Sequence, residues 1–98
     1  MSAGPEWTPV SGRRCPKGFR VRTLSLRPCA AIDYRQSDWD GALVIVEQGE
    51  LEIECRSGVR VRFAEGSILA FAGLALRRLH NTGSGPLVLT AVSREPVS

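Results

Sequence analysis

The chain has 98 residues, 43% of them hydrophobic and 23% charged, with thirteen basic and ten acidic side chains and a formal charge of +3. That length is one domain, and folding it hides about 64% of the unfolded surface, enough for one core without metal or disulfide staples. The apolar fraction excludes wholesale disorder, and the single histidine, His80, excludes any site built on two.

No apolar run approaches the roughly 18 residues of a membrane span. The opening MSAGPEWTPVSGRR has no charged segment followed by an apolar one, so it does not read as a secretory signal. The expectation is a cytoplasmic protein with no membrane partner. Three cysteines, Cys15, Cys29 and Cys55, fit no zinc or redox spacing. They are expected as free thiols, with Cys55 as apolar filler in a strand. Residues 1–35 carry seven basic and two acidic side chains, and residues 36–98 carry six and eight. A basic front end suits nucleic acid or an acidic partner. Arg20 and Arg22, however, alternate with Phe19 and Val21 as on the solvated face of a strand, and no basic helix appears, so nucleic acid is disfavoured.

Residues 1–16 are rich in Pro, Gly and Ser and read as a flexible N-terminal arm, pinned by Trp7 if by anything. Residues 17–95 form the domain. Phe19–Leu26 is the first β-type run, closed by Arg27-Pro28. A second lies around Ile32–Arg35 and ends at Ser37-Asp38-Trp39-Asp40-Gly41. Ala42–Glu47 is continuously apolar until its last residue, as in a central strand. Gln48-Gly49 turns it into Leu51–Cys55, where Leu51, Ile53 and Cys55 share one face and Glu52 and Glu54 the other. Arg56-Ser57-Gly58 is a hairpin loop, and Val59–Phe63 alternates again. Ile68–Phe71, Leu76–His80 and Leu87–Val92 complete about eight strands, all bounded by turn residues. No helical period lasts more than two turns. The fold class is all-β: a sandwich, a barrel or a jelly roll. Leu43–Val46 carries apolar residues on both faces, which predicts a strand covered on both sides and a homodimer.

The stretches Glu47-Gln-Gly-Glu-Leu-Glu-Ile, Phe63-Ala-Glu-Gly66 and Asn81-Thr-Gly-Ser-Gly-Pro86-Leu, with Gly58 between the first two, resemble the cupin superfamily over about residues 19–94. The resemblance implies a single-domain cupin jelly-roll β-barrel of antiparallel strands. Anchored on Gly66, the second cupin motif places its Pro on Ala72, its second Gly on Leu74, its His on Arg77 and its Asn on Asn81. Anchored on Gly49, the first motif places its Glu on Ala42. Its two His fall on Gln36 and Asp38, or on Arg35 and Ser37 with a gap one residue longer.

Cupin enzymes mostly hold a divalent metal through three His and one Glu. The aligned positions here are Gln36, Asp38, Ala42 and Arg77, so no metal and no cofactor is expected. Alanine cannot ligate, and a permanent guanidinium charge repels a cation. The same alignment turns Arg77 into the barrel. There it either pairs with Asp38, or with Glu47 if that faces in, or presents its fork to a carboxylate or phosphate ligand. If the register is off by one, Arg78 faces in instead. Extended residues 32–38 would place Tyr34, Gln36 and Asp38 on one face at the pocket mouth with Trp39 nearby. Tyr34 and Trp39 read equally as core and rim residues. His80, three residues from Arg77, is expected on the surface, and Glu52 and Glu54 on a solvated strand face.

The leading functional expectation is a metal-free cupin binding a small polar or anionic ligand through Arg77, Asp38, Gln36, Tyr34 and Trp39. One alternative is a metal-independent isomerase, lyase or cyclase working by acid–base chemistry through Asp38 and Tyr34. A second is a protein-interaction module with a filled barrel. Whether the chain is an enzyme is left open.

Overall fold

The computed structural model describes the backbone of residues 6–9 and the whole of residues 18–94. Nine strands and one helical turn make up the described residues: β1 (Glu6–Pro9), β2 (Phe19–Leu26), β3 (Ala31–Asp33), α1 (Gln36–Trp39), β4 (Leu43–Gln48), β5 (Leu51–Cys55), β6 (Arg60–Phe63), β7 (Ile68–Ala70), β8 (Leu76–Asn81) and β9 (Leu87–Arg94). They pair antiparallel into two sheets, β1-β2-β9-β4-β7 and β3-β8-β5-β6. No ladder joins the two sheets among the described residues, so the jelly roll is a sandwich rather than a closed barrel. No described helix is long and apolar enough to cross a membrane.

Period-two alternation builds the core from both sheets. Leu24 and Leu26 of β2, Val44 and Val46 of β4, and Leu87, Leu89 and Ala91 of β9 face Leu51 and Ile53 of β5 and Leu76 and Leu79 of β8. All eleven are at most 5% exposed, so the interior between the sheets is filled by side chains. The alternating runs of the sequence become strands within one or two residues of the expected ends. Glu6–Pro9 adds a strand that the sequence does not announce, paired to β2 along Trp7↔Leu24. The boundary set at residue 16 falls outside the described residues.

One turn brings together the last residues of the two motifs, Gly49 and Asn81. Gly49 has φ +87, and a Cβ there would sit 2.6 Å from the carbonyl oxygen of Pro86, so only glycine lets that backbone approach. Asn81, 2% exposed, donates through Nδ2 to the carbonyls of Leu26 (3.1 Å) and Gly85 (2.9 Å) and accepts from the amide of Gly83 (3.0 Å). Both residues serve the same 81–86 turn, one by making room and the other by satisfying buried backbone groups.

The segment expected to run extended through Asp38 instead makes the helical turn α1. Its start at Arg35 has no side-chain cap, and four residues are too few to persist alone. Burial of Trp39 holds it: the ring is 3% exposed and meets Phe71 edge-on, with centroids 5.2 Å apart. The amides of Asp38 and Ala42 close the turn on the carbonyls of Arg35 and Trp39, both at 3.0 Å.

Candidate functional site

A cavity of about 240 Å³ opens at the end of the sandwich between α1 and the 71–74 turn that leads into β8. Tyr34, Trp39 and Phe71 form its aromatic wall, Gln36 and Asp40 its polar rim, and Leu74 stands across the mouth. Phe71, 1% exposed, is packed edge-on by both Tyr34 (centroids 5.9 Å apart, 83° between planes) and Trp39. Such edge-to-face packing fixes ring positions beyond simple burial. The backbone of Tyr34 is held by its amide donating to the Arg77 carbonyl at 2.9 Å. Partial burial, and then the charge of Asp40, raise the Tyr34 hydroxyl above the usual phenol range. It therefore stays protonated and available as a donor near neutral pH. Asp40 and Gln36 are exposed at the rim.

Of the five residues expected at a site, Tyr34, Gln36 and Trp39 come together here. Asp38 does not line the cavity; because α1 is a turn, it does not share a face with Tyr34 and Gln36. Arg77 is elsewhere altogether. The pairing of β8 with β5 shifts between Glu54↔Arg78 and Cys55↔Leu76, leaving Arg77 as the extra residue of a bulge. The bulge resets the alternation: Leu76 and Leu79 point into the core, while Arg77 and Arg78 both lie on the outer face and are exposed. Neither arginine faces in, so the expected inward guanidinium, its pairing with Asp38 or Glu47, and its anion-binding role in the pocket all fall with the register.

Arg77 lies instead on a charged outer face. Its Nη1 is 3.9 Å from Glu54 Oε2, Arg78 meets Asp33 at 3.2 Å, and Glu52 meets Arg60 at 3.4 Å and Arg62 at 3.5 Å. His80 donates through Nε2 to Glu54 Oε1 at 2.7 Å, since the carboxylate can only accept. This bond, aided by the charges of Arg60, His80 and Arg77, holds the Glu54 carboxyl below its usual range against a smaller opposing effect of burial. The expectation of solvated glutamates is thereby corrected: Glu52 is 7% exposed because the arginine stems of the next strand cover it.

The aligned metal positions do not form a donor set. Gln36 is at the cavity rim, Asp38 half-buried on α1, Ala42 a buried methyl and Arg77 outward on the far side of the sheet. Among the described residues no group of three His, Cys, Asp or Glu side chains is placed to hold a metal ion.

Sequence reasoning missed Asp40, Phe71 and Leu74 at the cavity, and it missed Arg22. Arg22 shares its strand face with the core residues Leu24 and Leu26, and pairs across to the buried Ala91. It is half-buried, and it donates through Nη2 to the main-chain carbonyl of Asp38, tying β2 to α1. Desolvation first, then the neighbouring Arg20, lower its pKa, and Asp38 opposes them. The i, i+2, i+4 spacing of Arg22, Leu24 and Leu26 was the available signal.

The sequence matches no family model and no curated protein. Solved structures are matched in fold. The cupin 2 domain of an XRE family transcriptional regulator from Enterobacter cloacae is 21% identical, with a TM-score of 0.68 over 97% of this chain and 100% of that one. A sugar phosphate isomerase of the cupin superfamily from Silicibacter pomeroyi is 22% identical, with a TM-score of 0.59 over 82% of this chain and 53% of that one. Ectoine synthase from P. lautus is 20% identical, with a TM-score of 0.57 over 84% and 57%. The chain thus spans little more than half of either enzyme and the whole of the regulator's domain. These likenesses establish the cupin fold and leave the activity to the site.

Proposed function

We propose that this cupin-fold chain is a small-ligand binding module whose ligand enters the cavity between α1 and the 71–74 turn. The observation that carries the reading is the cavity itself: an aromatic wall of Tyr34, Trp39 and Phe71 beneath a rim of Gln36 and Asp40. Its lining mixes aromatic rings with polar groups, and a concave site in the mouth of a β-fold is a usual place for a small molecule. At about 240 Å³ the cavity lies below the usual range of roughly 300–1,000 Å³, so it suits a small metabolite rather than a nucleotide. Among the described residues Asp40 is the one charged side chain lining it. An anion is therefore repelled. A neutral hydroxylated molecule or a small cation is favoured, the cation also by the ring faces of the aromatic wall. Tyr34 donates to such a ligand, and Gln36 can donate or accept.

The match to a regulator's cupin domain over its full length supports a binding role without chemistry. The acid–base alternative loses support, because Asp38 lies outside the cavity and Tyr34, with its hydroxyl held protonated, is a poor base. Isothermal titration with choline, glucose and acetate tests the reading. Choline or glucose is expected to saturate at one site per chain and acetate to give no heat. Leu74→Trp, at a position 45% exposed, is expected to fill the mouth and abolish binding while leaving the fold intact. Saturable acetate binding, or binding indifferent to Leu74→Trp, contradicts it.

A further inference from the structure

Among the described residues β6 is the last strand of its sheet, paired to β5 on one side only. The hairpin fixes what faces the other side. The amide of Cys55 donates to the carbonyl of Val59 at 2.8 Å. Bonded and unbonded pairs alternate along an antiparallel ladder, so Ile53↔Val61 and Leu51↔Phe63 are the bonded pairs. The amides and carbonyls of Arg60 and Arg62 therefore point away from β5, toward the open edge. Their side chains stand on the outer face, opposite Glu54 and Glu52, and are 52% and 62% exposed. Val61, between them, shares the core face of Ile53, yet it is 40% exposed where Ile53 is 4%. A core-facing side chain left that open, beside outward main-chain donors and acceptors, marks an edge ready to take another strand.

We infer that this edge takes an extended segment of a partner protein in which acidic and apolar residues alternate. Strand addition supplies main-chain bonds to the outward groups of Arg60 and Arg62, and alternate side chains supply the choice of partner. The pattern is set by β6 itself. Residues directly opposite Arg60 and Arg62 fall on the outer face and are acidic. The residue between them falls on the core face, covers Val61 and is apolar. The chain already holds this arrangement on the other side of β6, where Glu52-Ile53-Glu54 of β5 stands opposite Arg62-Val61-Arg60. A guanidinium has five donors, and Arg62 meets Glu52 through Nε at 3.5 Å, so a carboxylate on the far side can share the same arginine. The same charges decide against a second copy of the chain. Two β6 edges laid antiparallel would set arginine against arginine, and like charges directly opposed are destabilising.

A fluorescein-labelled peptide of sequence SLEIEVES, titrated with the chain and followed by fluorescence anisotropy, tests the inference. It is expected to bind saturably and to slow hydrogen exchange at the amides of Arg60 and Arg62. Arg60→Gln and Arg62→Gln together, neutral replacements of two side chains more than half exposed, are expected to weaken it about tenfold while keeping the circular dichroism of a folded β protein. The same peptide methylated on the amide nitrogens of its first two glutamates keeps every side chain and loses the main-chain donors; it is expected not to bind. Saturable binding by the methylated peptide, or by SLKIKVKS with lysine for each glutamate, overturns the inference. So does the absence of saturable binding, or protection from exchange centred on the cavity. Protection of the Arg60 and Arg62 amides that rises with the chain's own concentration, without peptide, assigns the edge to a second copy and overturns it too. Choline and glucose play no part in these readings, so the outcome is independent of the cavity reading.

Discussion

The mouth beside α1 and the outer face of the β3-β8-β5-β6 sheet both hold residues with the chemistry of a site, and they differ in what surrounds them. On the outer face, Glu52, Glu54, Arg60, Arg62, Arg77 and His80 stand on adjacent strands at directly opposed or diagonal positions. On a flat sheet such neighbours find one another, and the network is closed: every carboxylate in it meets a cation within 4 Å. At the mouth, one helical turn and one β-turn diverge and leave space that, among the described residues, only Asp40 charges. A dense group of ionisable residues therefore makes a cross-strand brace, while the sparse one beside a cavity is where we propose that the ligand sits.

Beyond the filled mouth of Leu74→Trp, the contrast is sharpened most by Asp40→Asn. It removes the one charge at the cavity and is expected to weaken choline about fivefold, on the order of 1 kcal/mol for an exposed carboxylate, with glucose affinity little changed. Titration calorimetry reads both. Glu52→Ala should do the converse. It strips the brace of the carboxylate shared by Arg60 and Arg62 and costs about 1 kcal/mol of stability by urea unfolding, discounted because both arginines are more than half exposed, with ligand affinity unaltered.

The dependence on pH has a definite sign. The Glu54 carboxyl lies below its ordinary value in the folded chain, so the folded state favours its ionised form. That stability is fully present above the unfolded value of 4.5 and is lost as pH falls through the lower folded value. Glu54→Gln should flatten the acid limb of a stability–pH profile measured by urea unfolding; an unchanged limb would remove Glu54 from the brace. The smallest effect is expected from Arg77→Ala. The side chain is 58% exposed and 3.9 Å from its carboxylate, so unfolding midpoints should shift by no more than about 0.5 kcal/mol and binding not at all.

The strands were legible because alternation is local: Leu51, Ile53 and Cys55 face in wherever the strand is placed. Gly49 and Asn81 were legible as motif ends, and both serve the 81–86 turn, Gly49 by letting Pro86 approach and Asn81 by bonding its backbone. Arg77 was misplaced because motif spacing counts residues, and the bulge opposite Glu54 and Cys55 inserts one. A single extra residue reverses every side chain beyond it. Asp38 was misplaced because the burial of Trp39 against Phe71, a contact between distant segments, overrides the extended reading of 32–38. Arg22 was misread by attending to Phe19 and Val21 on one side of the strand and not to Leu24 and Leu26 on the other.

The most direct measurement is a titration of the 15N-labelled chain with choline, followed residue by residue in amide NMR spectra. Saturable shifts are predicted for Tyr34, Gln36, Asp40 and the 71–74 turn, with Glu52, Glu54, Arg60 and Arg77 unmoved. Shifts centred on the charged outer face, or none at the mouth with choline and glucose alike, would contradict the assignment of the cavity as the ligand site.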